Sequence, residues 1–170
     1  MTDKTQKKRK QTFPEEKIER RFVDNGEYLG MLMDLVEEGR EVSAEISGNS
    51  MSPFLIHHRD RVILAPIDSP LKKGDIVMYM RADSSYVLHR IVKVNKDESF
   101  DICGDALDQI EKGVLRSQIL ARVCAIERKG RIICPGSFFW GFFAKIWVNM
   151  IPMRRFVIRV FSILHSLFRR

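Results

Sequence analysis

The stretch Lys72-Lys73-Gly74-Asp75-Ile76-Val77-Met78-Tyr79-Met80, followed by Tyr86-Val87-Leu88-His89-Arg90-Ile91-Val92-Lys93-Val94, decides the fold class. Lys72 to Asp75 reads as a turn, and the two apolar, β-branched runs behind it read as strands. The same texture extends in both directions. Upstream, Val42–Ile46 alternates, Arg61–Leu64 is a second short run, and Pro66 to Pro70 marks a loop. Downstream, Asn95-Lys96-Asp97 interrupts the chain before Ser99–Cys103, and Lys129-Gly130 joins Gln118–Ile126 to Arg131–Ile133. Short strands with turn signals between them predict a mainly β domain of coiled antiparallel sheets, closed as a barrel or stacked as a sandwich. No internal repeat is visible.

The flanks differ from this centre. Residues 1–12 are polar and charged, and a short helix is expected from Glu15, interrupted at Asn25-Gly26. Over residues 27–39, Tyr28, Leu29, Met31, Leu32 and Leu35 fall at helical spacing, with Gly39 as the stop. The organisation expected is a basic, disordered or partly helical tail (1–23), a domain with a leading helix (24–136), and an aromatic and basic tail (137–170). In that last segment Arg155, Arg159, Ser162, Ser166 and Arg169 share one helical face, opposite Phe156, Val157, Val160, Phe161, Leu164, Leu167 and Phe168. A basic amphipathic helix behind the aromatic run with Trp140 and Trp147 predicts a segment lying at an anionic membrane surface. The rival expectation is a helix packed on a partner or on the domain itself.

A chain of 170 residues can bury a core without disulfides. Its net charge of +7 sits at the ends: residues 1–21 carry +4, residues 137–170 carry +6, and the middle carries −3. Charge so placed points to an anionic surface met by the tails, and no aromatic–basic interleaving favours nucleic acid. The three cysteines, Cys103, Cys124 and Cys134, form no Cys-x-x-Cys pair, so neither a zinc site nor a disulfide framework is expected. They read as small buried hydrophobes, and no cofactor is expected. Residues 1–24 lack the apolar region of a cleavable signal, and no charge-free window of eighteen apolar residues predicts a spanning helix.

The chemistry concentrates in two places. Gly48-Asn49-Ser50-Met51-Ser52-Pro53 sets a serine in a small turn, and His89 lies on a strand about forty residues later. A serine hydroxyl is a weak nucleophile near neutral pH and needs a base within hydrogen-bond reach, so Ser50 and His89 are the candidate nucleophile and base. The Ser50 backbone N–H is the natural oxyanion donor, with the Ser47 hydroxyl as a second candidate. Met51 would wall the substrate site and Pro53 would fix the turn. His57 and His58 read as surface residues.

These residues resemble the signal peptidase and LexA superfamily of serine endopeptidases. Gly48-Asn49-Ser50-Met51-Ser52-Pro53 looks like its nucleophile box, and Asp60-Arg61-Val62, Gly74-Asp75-Ile76-Val77, Val87-Leu88-His89-Arg90 and Cys103-Gly104-Asp105-Ala106 follow in the family's order. The resemblance covers about residues 42–128. Many members place a lysine in the second box; histidine here is similar to the endoplasmic-reticulum and archaeal type. In that type an aspartate supports the histidine, which implies Asp105, with Asp108 second. Arg59 stands where a glycine is usual, and the family's N-terminal membrane helix is not found. The resemblance implies an endopeptidase that trims a leader or signal sequence at a membrane. Two alternatives are an idle or regulatory relative that binds peptide or lipid, and a LexA-like self-cleaving regulator. The latter needs an Ala-Gly or Cys-Gly bond before Ser50, and residues 1–49 contain none. Activity is expected to rise with pH through the histidine titration, near or somewhat above ~6.5 for an ordinary imidazole.

Overall fold

The computed structural model describes residues 25–154 and Phe156. The basic tail expected over 1–23 and almost all of the amphipathic helix expected over 155–169 lie outside the described residues. α1 spans Asn25–Glu37 and β1 Val42–Glu45; β2 is Asp60–Ala65, β3 Ile76–Met80, β4 Tyr86–Val94, β5 Phe100–Cys103, β6 Glu111–Val114, β7 Ile119–Arg128 and β8 Arg131–Ile133. α2 follows at Phe138–Lys145, with 3₁₀ turns at Trp147–Asn149 and Ile151–Met153.

All strand pairs are antiparallel, in the order β1-β2-β7-β3-β4-β5-β6, with β8 on β7. The mainly β expectation therefore holds. The sheet is not closed into a barrel: β1 pairs only with β2, and β6 only with β5. It bends, because β7 runs for ten residues with irregular register against both β2 (at Ile63/Leu64) and β3 (at Met78/Tyr79). Such bulges raise local twist and turn a strand from one layer into the next. Two cores result. The larger holds Val62, Leu64, Ile76, Ala121, Val123 and Ile126 with α1 and α2; the smaller holds Val77, Tyr79, Ile91, Phe100, Ile102, Val114 and Ile119.

α1 ends as the sequence predicts, at Gly39, whose φ of +90° is a left-handed cap. Its buried face differs, however. Met33 and Val36 enter the core with Leu29 and Leu32 against them, while Tyr28 and Met31 point outward. Positions 29, 32, 33 and 36 form an i, i+3, i+4, i+7 stripe, the spacing that lies along one side of a helix.

The C-terminal aromatic segment is not a detached tail. Ser137 caps α2 by accepting from the Trp140 N–H, and Trp140, Phe143 and Trp147 are buried in the larger core around Phe54. Phe54 stacks on Phe139 at 5.2 Å and meets Phe143 at 4.9 Å between ring centroids. The boundary drawn at residue 137 thus cuts through the domain. Fully burying a large apolar side chain is worth roughly 1.5–3 kcal/mol, so this segment is a substantial part of what holds the fold together. Gly74 shows how close the approach is: a Cβ there would stand 2.7 Å from the Ala144 carbonyl oxygen.

Candidate active site

β1 delivers the chain to a tight turn. Gly48 has a φ of +91°, a conformation that favours glycine, and its N–H donates to Nδ1 of His57 at 3.0 Å. Ser52 N–H donates to Asn49 O and Leu55 N–H to Met51 O, closing a short helical loop around Ser50. Met51, Phe54 and Leu55 sink into the core and pin this loop. His57 is half-buried and His58 exposed; their rings meet at a tilt, 3.6 Å between centroids, and His58 Nδ1 lies 2.5 Å from Glu45 Oε1, which ties the Ser50 loop to the end of β1.

His89 comes from the middle of β4, in register with Val77. It is 3% exposed. Ser50 and His89 line one cleft of about 330 Å³ with Ile46, Ser47, Met51, Tyr86 and Leu107. Gly104 stands between them. A Cβ on Gly104 would be 2.6 Å from the Ser50 carbonyl oxygen and 3.0 Å from His89 Nε2, so only a glycine fits between the Ser50 backbone and the His89 ring. Ala106 N–H donates to the Ser50 carbonyl at 2.8 Å and locks the Gly104–Leu107 turn onto the Ser50 loop. The imidazole thus turns Nε2 toward the Ser50 side. No hydrogen bond joins Ser50 Oγ to His89, whose ring bonds through Nδ1 to Tyr79.

The other ring nitrogen has a different environment from the one the resemblance implies. His89 Nδ1 lies 3.3 Å from the Tyr79 hydroxyl and 3.7 Å from Glu111 Oε1. Asp105 does not reach it through a hydrogen bond. Its carboxylate is fully buried and takes a forked contact from Arg90, at 2.9 and 2.7 Å, with Arg154 at 4.0 Å. Asp108 lines a separate hollow with Lys73, Lys93 and Asp101. Two residues were therefore missed by sequence reasoning, Tyr79 and Glu111. Tyr79 lies in a recognised strand, where nothing in the sequence sets it apart from its neighbours. Glu111 opens β6, a strand of Glu-Lys-Gly-Val with no apolar alternation to announce it.

Electrostatics follow from this placement. Burial pushes the His89 imidazole down to about 4, opposed by the pull of Glu111 and Asp105 and assisted by Arg81. Arg81 donates to both Glu111 carboxylate oxygens and holds that carboxyl below its ordinary range. Burial, with Glu111 beside it, pushes the Tyr79 phenol up, so it stays protonated. An imidazole so shifted is neutral at neutral pH, the form that can accept a proton. Met51 lines the cleft; Pro53 does not, and follows Ser52 through a cis peptide bond. Ser47, the second oxyanion candidate, lines the cleft too.

The cysteines are all free; Cys103 is buried, but Cys124 is half-buried and Cys134 exposed. Among the described residues no group of His, Cys, Asp or Glu has the geometry to hold a metal ion. No described helix is long and apolar enough to cross a membrane. No protein-family model matches this chain, and no curated protein matches it either.

Proposed function

We propose that the protein is a serine endopeptidase resembling signal peptidases, with Ser50 as nucleophile and His89 as base. The observation that carries this reading is the convergence at Gly104, which leaves no room for a side chain between the serine loop and His89 Nε2. Ser50 Oγ attacks the scissile carbonyl while Nε2 takes its proton. The protonated imidazole then hands that proton to the leaving amine as the C–N bond breaks. Water enters the acyl-enzyme by the same base and releases the acid. Nδ1–H faces the Tyr79 oxygen and the Glu111 carboxylate, which hold the tautomer and stabilise the transient imidazolium in the role first assigned to Asp105.

The cleft is lined by apolar Ile46, Met51, Tyr86, Leu88 and Leu107, which suits an extended peptide with small or apolar side chains. A leader or signal sequence has that character. The basic charge of residues 137–170 supports action at an anionic membrane surface.

The test is covalent labelling by a serine-reactive fluorophosphonate and an acylating lactam, in the presence of anionic lipid vesicles. Wild type is expected to be labelled, and Ser50→Ala and His89→Ala are expected to lose labelling while keeping their circular dichroism. A folded wild type that stays unlabelled would turn the reading to an idle peptide- or lipid-binding relative, and a labelled Ser50→Ala would end the assignment of Ser50 as nucleophile.

A further inference from the structure

Arg154 is fully buried although it lies some fifty residues from the site loops in sequence. Its guanidinium spends nearly every donor on backbone carbonyls. Nη1 donates to Gly104 O at 2.8 Å and Leu107 O at 3.4 Å, while Nε and Nη2 both donate to Trp147 O, at 3.3 and 3.1 Å. The Trp147 indole N–H in turn donates to Asp105 O at 2.9 Å. Three carbonyls of one turn, Gly104, Asp105 and Leu107, are thus gripped from behind by two residues of the C-terminal segment. That turn touches the Ser50 carbonyl and His89 Nε2 on its front face, and Leu107 walls the cleft.

Charge makes the grip costly to build for structure alone. Arg90 already satisfies Asp105, with its third nitrogen on Gly74 O at 2.9 Å, so Arg154 adds a second buried cation to a single carboxylate. A buried guanidinium is tolerated only where hydrogen bonds replace its water. Here the Nη1 bonds fall on the one turn that separates the serine loop from the histidine, and the other two tie Arg154 to Trp147, whose indole N–H holds the same turn.

We propose that Arg154 and Trp147 are positioning residues for the candidate active site, clamping the Gly104–Leu107 turn so that Ser50 and His89 stay in register. The inference rests on the Ser50/His89 reading for its catalytic consequence, but the clamp itself is measurable without activity. Breaking the clamp loosens the Ala106 N–H to Ser50 O bond first, and misplaces the serine relative to Nε2 second.

The experiment compares wild type with Trp147→Phe, which keeps a smaller aromatic ring and loses the indole donor, and Arg154→Lys, which keeps the charge and loses the fork. Arg154→Met is the severer variant and is interpreted only if folded. Hydrogen exchange at the Ala106 amide is read against amides of the β2–β7 pair, together with fluorophosphonate inactivation resolved into its binding constant and its limiting rate. Expected is at least a tenfold loss of Ala106 protection with the β2–β7 amides unchanged, and a tenfold lower limiting rate at unchanged probe binding. Unchanged Ala106 protection in folded Trp147→Phe and Arg154→Lys overturns the clamp, whatever the labelling. Lost protection in a protein whose wild type is never labelled leaves the clamp standing and removes the Ser/His reading instead.

Discussion

His89 shows how one buried position resets a titration. An ordinary imidazole would place the activity limb near ~6.5, but burial brings His89 down to about 4. The neutral form is the base, so labelling of Ser50 should rise as pH climbs through about 4 and be flat across neutral pH. A rate–pH profile with its midpoint near 7 would contradict the burial argument. Glu111 pulls the imidazole pKa up and also offsets Arg81. Glu111→Gln removes both effects, so the limb should move to still lower pH. The limiting rate should fall by roughly 10- to 100-fold, less than for a directly bonded triad carboxylate. A limb that moves upward, or an unchanged rate, would return the supporting role to Asp105.

Among the elements, the turn after β5 and the strand β6 matter most. Gly104 has ordinary backbone geometry, so its requirement for glycine is one of space and not of φ. Gly104→Ala sets a Cβ 2.6 Å from the Ser50 backbone oxygen, a contact no rotamer change relieves. We expect a loss of about 1–3 kcal/mol in urea unfolding and labelling reduced to background. Wild-type labelling in a folded Gly104→Ala would mean that the two loops do not meet as described. β6 was not legible because Glu111-Lys112-Gly113-Val114 lacks alternation. Only pairing with β5, Phe100 to Val114 and Ile102 to Glu111, makes it a strand and brings Glu111 to His89.

For the whole molecule, the consequence is where the domain ends. A chain stopped at residue 136 loses Trp140, Phe143, Trp147 and Arg154 from the core and its clamp, and is expected to unfold at room temperature. A chain stopped at residue 156 keeps them. It should retain its melting temperature within a few degrees and its labelling rate, while losing affinity for anionic vesicles with residues 157–170. Vesicle binding unchanged in that shorter chain would move the lipid contact elsewhere on the molecule.

The sequence by itself determined the strand texture and the stop of α1 at Gly39, because periodicity and turn chemistry act over short spans, and it offered Ser50 and His89 as candidates through the order of five motifs that resemble one family. The tertiary structure decided the rest. Helical spacing reports that 137–154 has apolar residues but not what they pack on; that is set by the space left around Phe54. A Gly-Asp pair reports a turn, but whether Asp105 faces an imidazole or two guanidinium groups depends on Arg90 and Arg154 arriving from distant elements. The open sheet was decided the same way. Closure needs the two end strands to meet, and the irregular pairing of β7 with both β2 and β3 bends the sheet into two cores without joining β1 to β6.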